Sequence, residues 1–236
     1  MAACCGLSIR SAAGQSFAPR VDYATGSNSF PHAVAVGDFN SDGKIDLAVA
    51  IQFFDSVGVF LNNGNGTFAP VVYYPVAGDT ASVTVGDFNG DGKPDLATAN
   101  FTVSSSSVSV LINNGNGTFA TKVDYPIGGN PTSVAAGDFN GDGKPDLAAT
   151  DSTNNFVSVF INNGNGTFAA KVDYPTDSNP AFVAAGDFNG DSKPDLATAN
   201  LNGNTMSVLI NNGNGTFATK VDYTTGANSQ PIAIAA

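Results

Sequence analysis

Four short stretches of the chain set oxygen-bearing side chains at one fixed spacing. The first is Asp38, Asn40, Asp42 and Asp46, with Lys44 before the last Asp. The pattern returns as Asp87, Asn89, Asp91, Lys93 and Asp95, then as Asp138, Asn140, Asp142, Lys144 and Asp146. Its fourth copy is Asp187, Asn189, Asp191, Lys193 and Asp195. Side chains at loop positions 1, 3, 5 and 9 supply oxygen, and the Lys at position 7 offers only its backbone carbonyl. Side chains at 1, 3 and 5, a carbonyl at 7 and Gly at 6 make a calcium loop. Three carboxylates crowded into nine residues repel one another unless a cation sits between them. Up to four Ca²⁺ are therefore expected, one per loop, which takes the formal charge from −11 to −3 (−11 + 8). Mg²⁺ fits less well, because it demands near-ideal octahedral geometry.

Other readings of these loops are weaker. An EF-hand needs flanking helices and a bidentate Glu at position 12, and all 20 acidic residues here are Asp. Four Asx-turns without metal would explain one such loop better than four matching ones. Ser192 stands where the other loops have Gly43, Gly92 and Gly143. A positive φ at that position would strain the Ser192 loop, which is expected to bind metal most weakly.

The elements that position these loops form a repeat. Gly-Asp-Phe-Asn occurs with its Asp at 38, 87, 138 and 187, and Asn-Asn-Gly-Asn-Gly-Thr-Phe-Ala begins at 62, 113, 162 and 211. The second repeat is longer by two residues, in the serine run Ser104 to Ser107, which marks a loop. The third unit is expected to hold strands over Thr132–Phe139, Asp146–Thr150, Phe156–Asn162 and Ala169–Tyr174, with Asn-Gly steps suited to a hairpin turn. No stretch carries a period of 3.6, so almost no helix is expected.

The fold class is therefore all-β: a β-propeller of four-stranded antiparallel blades. Complete blades are assigned to 31–79, 80–130, 131–179 and 180–230. Partial blades flank them: an irregular lead-in at 1–16, the end of a blade at 17–30 and the start of another at 231–236. The chain is expected either to be part of a longer propeller or to close a five-bladed ring with its two ends. A β-solenoid is the alternative architecture. Phe39, Phe88, Phe139 and Phe188 form one recurrent aromatic set, and Phe68, Phe119, Phe168 and Phe217 a second; both suit the core between blades. The recurrent Tyr23, Tyr74, Tyr125, Tyr174 and Tyr223 suit packing better than ligand stacking.

Gly-Asp-Phe-Asn-Gly-Asp-Gly-Lys-Pro-Asp-Leu-Ala, as at Gly137 to Ala148, together with Asn-Gly-Asn-Gly-Thr-Phe at Asn163 to Phe168, resembles the FG-GAP/VCBS repeat of integrin-α-like propellers. The resemblance covers roughly residues 17–236. It implies one structural Ca²⁺ in the hairpin loop between the first two strands of each blade, held by the Asp and Asn residues above. It also implies roles in adhesion, in sugar-binding lectins or as modules of larger secreted proteins.

Composition excludes several functions. A net charge of −11 disfavours nucleic acid, and no apolar run has transmembrane length. Cys4 and Cys5 are adjacent and cannot staple the fold. The single His, His32, is expected in a loop, and with no Glu and no Gly-x-Ser-x-Gly motif the chain is expected not to be an enzyme. A calcium-binding module for a glycan or protein ligand is expected, with a purely structural or accessory propeller module as the alternative. Loops without a bidentate Glu should bind Ca²⁺ in the ~10⁻⁴–10⁻³ M range of extracellular modules. An extracellular, cell-surface or periplasmic location follows, with a signal peptide outside this sequence. Open blade edges are expected to self-associate. The Asn-Gly-Thr sequon at Asn65 and its copies is read as a by-product of the turn.

Overall fold

The computed structural model describes residues 20–103 and 106–235. The lead-in, Cys4, Cys5 and the middle of the serine run lie outside the described residues. Sixteen strands form four sheets, each of four antiparallel strands in sequential order. The first contains β1 (Phe30–Gly37), β2 (Asp46–Gln52), β3 (Ser56–Phe60) and β4 (Val72–Pro75). The second contains β5 (Asp79–Gly86), β6 (Asp95–Phe101), β7 (Ser107–Leu111) and β8 (Val123–Pro126). The third contains β9 (Val134–Gly137), β10 (Asp146–Asp151), β11 (Phe156–Phe160) and β12 (Val172–Pro175). The fourth contains β13 (Pro180–Gly186), β14 (Asp195–Asn200), β15 (Thr205–Leu209) and β16 (Val221–Thr224).

In the third unit the second and third strands start where the sequence places them, the third ending at Phe160 and not at Asn162. The first is shorter than expected, and the last starts at Val172 instead of Ala169. The difference is local: Asn162 makes an isolated bridge to Phe168, so the turn narrows before regular pairing begins. His32 is also not in a loop. It lies within β1, at the register shift between Pro31 and Ala33, and its side chain is exposed. A bulge beside a Pro that cannot donate to the ladder keeps strand geometry while breaking the alternation that sequence reading relies on.

The middle strands are buried on both faces, as the pattern of β6 and β10 shows. This explains why Ala48, Val49, Ala50 and Ile51 read as one continuous apolar run and not as an alternation. One face meets the preceding sheet and the other the following one. Each sheet packs its first strand against the first strand of the next, β1 on β5, β5 on β9 and β9 on β13.

Separate cores fill the gaps between sheets. Phe39, Ala48, Val57 and Val59 of the first sheet meet Leu96, Leu111 and Phe119 of the second. Equivalent residues join the second sheet to the third and the third to the fourth. The recurrent Tyr side chains are part of this packing. Tyr74, Tyr125 and Tyr174 set their rings edge-on to Phe119, Phe168 and Phe217 of the following unit, with centroids 5.1, 5.4 and 5.3 Å apart. Residues 20–29 form no strand, yet Tyr23 takes the same place against Phe68 at 5.4 Å. At the far end the pattern loses its partner: Phe188 is 41% exposed and Tyr223 53%, whereas Phe39, Phe88 and Phe139 are fully buried.

Candidate metal loops

The four acidic loops connect the first and second strands of each sheet. Position 9 opens the second strand, so Asp46, Asp95, Asp146 and Asp195 are completely buried. In the third sheet, Phe139 N–H donates to Asp146 Oδ2 at 2.9 Å and Asn162 N–H to Oδ1 at 2.8 Å. The other three sheets repeat both bonds. This carboxylate ties the loop to the turn that follows the third strand.

Positions 1, 3 and 5 stay near the surface and fold the loop onto itself. Gly143 N–H donates to Asp138 Oδ2 at 2.8 Å, Asp142 N–H to Asn140 Oδ1 at 2.9 Å and Lys144 N–H to Asp142 Oδ1 at 3.0 Å. The position-7 Lys lays its stem over a glycine of the neighbouring turn. A Cβ on Gly64 would stand 2.5 Å from Lys44 Cε, where the flexible stem could yield, but the backbone there holds φ +80°, a conformation that favours Gly. The ammonium thereby reaches the position-5 Asp: 3.0 Å for Lys44–Asp42, 3.1 Å for Lys93–Asp91, 3.6 Å for Lys144–Asp142 and 3.5 Å for Lys193–Asp191.

The structure thus brings positions 1, 3, 5 and 7 of each loop together around their own amides and turns position 9 inward. Among the described residues, no group of three carboxylate, His or Cys side chains converges closely enough to hold a metal. The donor set suits a hard cation in being all oxygen; the lysine ammonium beside each position-5 carboxylate is a positive charge that Ca²⁺ would displace. Asp38, Asn40, Asp42, the Lys44 carbonyl and Asp46 would hold Ca²⁺ in the first loop, and their counterparts in the other three.

Burial raises the proton affinity of two of the position-9 carboxylates. Burial pushes Asp95 and Asp146 up to about 6, helped by the neighbouring pairs Asp87 and Asp91, and Asp138 and Asp142. Lys44 holds Asp42 below the usual carboxylate range, and the Ser192 amide does so for Asp187. A group whose folded-state pKa is raised binds protons more tightly in the folded chain. Its protonation adds stability below the unfolded value of 3.8, and this is lost as pH rises to about 6. In EDTA, the melting temperature is therefore expected to rise when pH falls from 7 to 5. With saturating Ca²⁺, protons compete with the cation and the rise disappears. A melting temperature in EDTA that drops steadily over that interval contradicts this assignment.

Backbone strain separates the loops. Gly43, Gly92 and Gly143 have φ near +80°, and Ser192 holds the same turn at +66°. A Cβ meets nothing within 4 Å at those three glycines, so the cost at Ser192 is conformational and not steric. Ser192→Gly is expected to raise stability by about 1 kcal/mol in urea unfolding; no gain, or a loss, would count against the strain. Ser41, at φ +60°, strains the first loop at position 4, where the others have Gly90, Gly141 and Gly190. Sequence reading missed it, although Gly in three of four copies was the available signal. It also missed Asn62, Asn113, Asn162 and Asn211. Their side-chain amides donate to the carbonyls of Ile45, Pro94, Pro145 and Pro194 at 2.9–3.0 Å. Each clamps the following turn to its loop.

The loops also join neighbouring sheets. Gly117 N–H donates to Phe39 O, Gly166 N–H to Phe88 O and Gly215 N–H to Phe139 O, each at 2.9 Å. The Asn-Gly-Asn-Gly turn of one unit therefore docks onto the acidic loop of the unit before it.

Comparison with known proteins agrees with this geometry. The FG-GAP-like repeat matches residues 38–98, 100–149, 138–198 and 187–236. The chain belongs to the FG-GAP-like repeat family. No curated protein matches this FG-GAP-like chain by sequence. Among solved structures, it is similar to an Agrocybe aegerita lectin described as specifically recognising non-reducing terminal N-acetylglucosamine. The TM-score is 0.58 at 20% identity, covering 83% of this chain and 54% of the lectin. A functionally unknown protein of Desulfotomaculum acetoxidans gives 0.61 at 15% identity, covering 82% and 56%. The Pseudomonas aeruginosa periplasmic gluconolactonase PpgL gives 0.59 at 18% identity, covering 86% and 55%. The FG-GAP-like chain thus spans little more than half of each, and these likenesses speak for fold alone.

Proposed function

We propose that the chain is a calcium-stabilised β-propeller segment acting outside the cytosol as a binding module for glycan or protein ligands, and not as an enzyme. The observation that carries this reading is the linkage just described. The first three acidic loops are each hydrogen-bonded to the turn of the next unit, so a cation that fixes one of these loops also fixes the junction between blades. Fixed junctions give a rigid surface, and equivalent clefts open at two of them, beside Phe119 and Phe217.

Further support comes from sheet order and packing. Four sequential four-stranded sheets, joined through their first strands, suit blades arranged about an axis. The similarity to a sugar-recognising lectin fits a binding role, and a periplasmic neighbour fits a location where calcium is plentiful. Among the described residues, no helix is long and apolar enough to cross a membrane. The uncovered Phe188 and Tyr223 would support self-association or a further blade.

The second reading, a purely structural or accessory module of a larger protein, is favoured by how closely the blades resemble one another. An array of glycans and candidate protein ligands, probed with soluble chain in Ca²⁺ and in EDTA, separates the two. Reproducible binding that EDTA abolishes supports the binding module; absence of binding by a folded, calcium-loaded chain supports the spacer.

A further inference from the structure

The three junctions between sheets are built alike, each from two halves. The earlier unit supplies a knob, which is Leu61, Ile112 or Ile161, and a backbone carbonyl from Phe39, Phe88 or Phe139. The later unit supplies the seat, at Gly117, Gly166 or Gly215. A Cβ on these glycines would stand 2.7, 2.9 and 2.8 Å from Leu61, Ile112 and Ile161. Their N–H groups hold the three carbonyls at 2.9 Å. The earlier unit's Tyr then closes edge-on over the later unit's Phe.

Each outer sheet carries one unfilled half of this junction. The fourth sheet has the knob side, with Ile210, the Phe188 carbonyl and Tyr223 at the matching positions. Tyr223 is exposed, and Val208 is partly exposed where Val59, Val110 and Val159 are buried. The first sheet has the seat side. A Cβ on Gly66 would meet nothing within 4 Å, and no carbonyl among the described residues accepts its N–H. Val34 is 60% exposed, whereas Val83, Val134 and Val183 are buried against the preceding sheet. The place for a Tyr is already taken there: Tyr23 lies against Phe68, whose N–H donates to the Tyr23 hydroxyl at 3.2 Å. Residues 20–23 match Lys220-Val221-Asp222-Tyr223 in sequence but form no strand.

We infer that the fourth sheet of one copy docks head to tail onto the first sheet of a second copy of this chain. This rests on the propeller arrangement proposed above and needs no ligand. Ile210 of one copy enters the space over Gly66 of the other, Gly66 N–H donates to the Phe188 carbonyl, and Tyr223 displaces Tyr23 from Phe68. The unpaired strap yields its place to β16, which is already paired with β15. The surfaces that meet at three junctions within the chain are the ones left open on its outer sheets. A head-to-tail contact makes a ring if its rotation closes. Two copies supply eight four-stranded sheets, within the ~4–8 blades usual in propellers, and three copies would exceed that range. One copy also spans little more than half of each similar structure. The expected assembly is therefore a dimer with two identical junctions. Displacing Tyr23 offsets part of the gain, so the dilute chain is monomeric and leaves Phe188 uncovered.

Sedimentation velocity over a concentration series in excess Ca²⁺ tests this. A dimer is expected as concentration rises. Val34→Lys damages the seat side and Tyr223→Lys the knob side. Both side chains are exposed in the single chain, so both variants should keep the wild-type circular dichroism spectrum. Should either spectrum change, Val36→Lys and Ile210→Lys damage the same two sides. Each variant alone should weaken association at least tenfold. Mixed together they should recover part of it, because each mixed pair holds one undamaged junction. Tyr23→Ala should tighten association by clearing its place, and looser association there overturns the exchange of tyrosines. A chain that stays monomeric up to ~0.5 mM overturns the inference. A dimer that one Lys variant breaks and the other leaves intact also overturns it, since that pattern belongs to like sheets meeting. Either result leaves the binding-module reading standing, because the array tests that reading without association.

Discussion

Asp146→Ala is expected to lower the unfolding free energy by about 3–5 kcal/mol in EDTA, where no metal effect contributes. The side chain is fully buried, and its two oxygens accept the Phe139 and Asn162 amides. Alanine leaves both amides buried without acceptors, at about 1–3 kcal/mol each, and opens a void beside them. Asp142→Ala makes the contrast. That carboxylate is exposed and holds Lys144 N–H at the surface, so its loss in EDTA should cost within about 1 kcal/mol. In Ca²⁺ both variants should lose the ligand-dependent gain. Urea unfolding of the two side by side decides the matter, and similar costs in EDTA would mean that position 9 is not the tie between loop and turn.

Phe139→Ala is expected to cost about 3–5 kcal/mol, as for a buried aromatic replaced without collapse of the site. Its ring is fully buried and lies 5.5 Å from Phe217 of the following sheet. Phe188→Ala removes the same residue from the same loop position of the fourth unit. Phe188 is 41% exposed, so its loss should cost about 1 kcal/mol or less. Equal penalties would mean that Phe188 is covered in solution, by self-association or otherwise, and light scattering on the wild-type chain would then reveal the partner.

Much of this was legible in the residues. A repeat of about fifty residues with Asn-Gly turns placed four strands in each unit, because turn chemistry and repeat length act locally. The two Phe sets and the Tyr set were readable as junction packing because they recur at one offset from the loops, and that reading holds for all but Phe188 and Tyr223 at the far end. What stayed hidden depends on three-dimensional partners. Nothing adjacent to Asp146 in sequence announces that Asn162 donates to it. Nothing in Thr98, Asn100 and Ser109 announces a buried polar ladder in which Asn100 donates to Ser109 Oγ at 2.8 Å and Ser109 to Asp124 at 2.6 Å. The first unit has Ile51, Gly58 and Tyr73 at the matching places. There Val49, Ile51 and Phe60 form an apolar cluster that Tyr23 packs against. His32 was misplaced because a bulge hides strand pairing from any period-two reading.

The candidate site was legible as a donor list and not as a geometry. Spacing names the oxygens, but the direction each one takes follows from amides elsewhere in the fold. That is why position 9 is found tied to two backbone N–H groups while the Lys at position 7 leans on position 5. Whether these groups gather around a cation is the central claim, and thermal unfolding tests it most directly. The melting temperature should be compared in excess Ca²⁺, excess Mg²⁺ and EDTA, since a ligand that binds only the folded chain must raise it. A large rise specific to Ca²⁺ is the predicted result. Identical melting in Ca²⁺ and EDTA would contradict it, leaving the four loops as Asx-turns held by their own amides and removing the argument for an extracellular location.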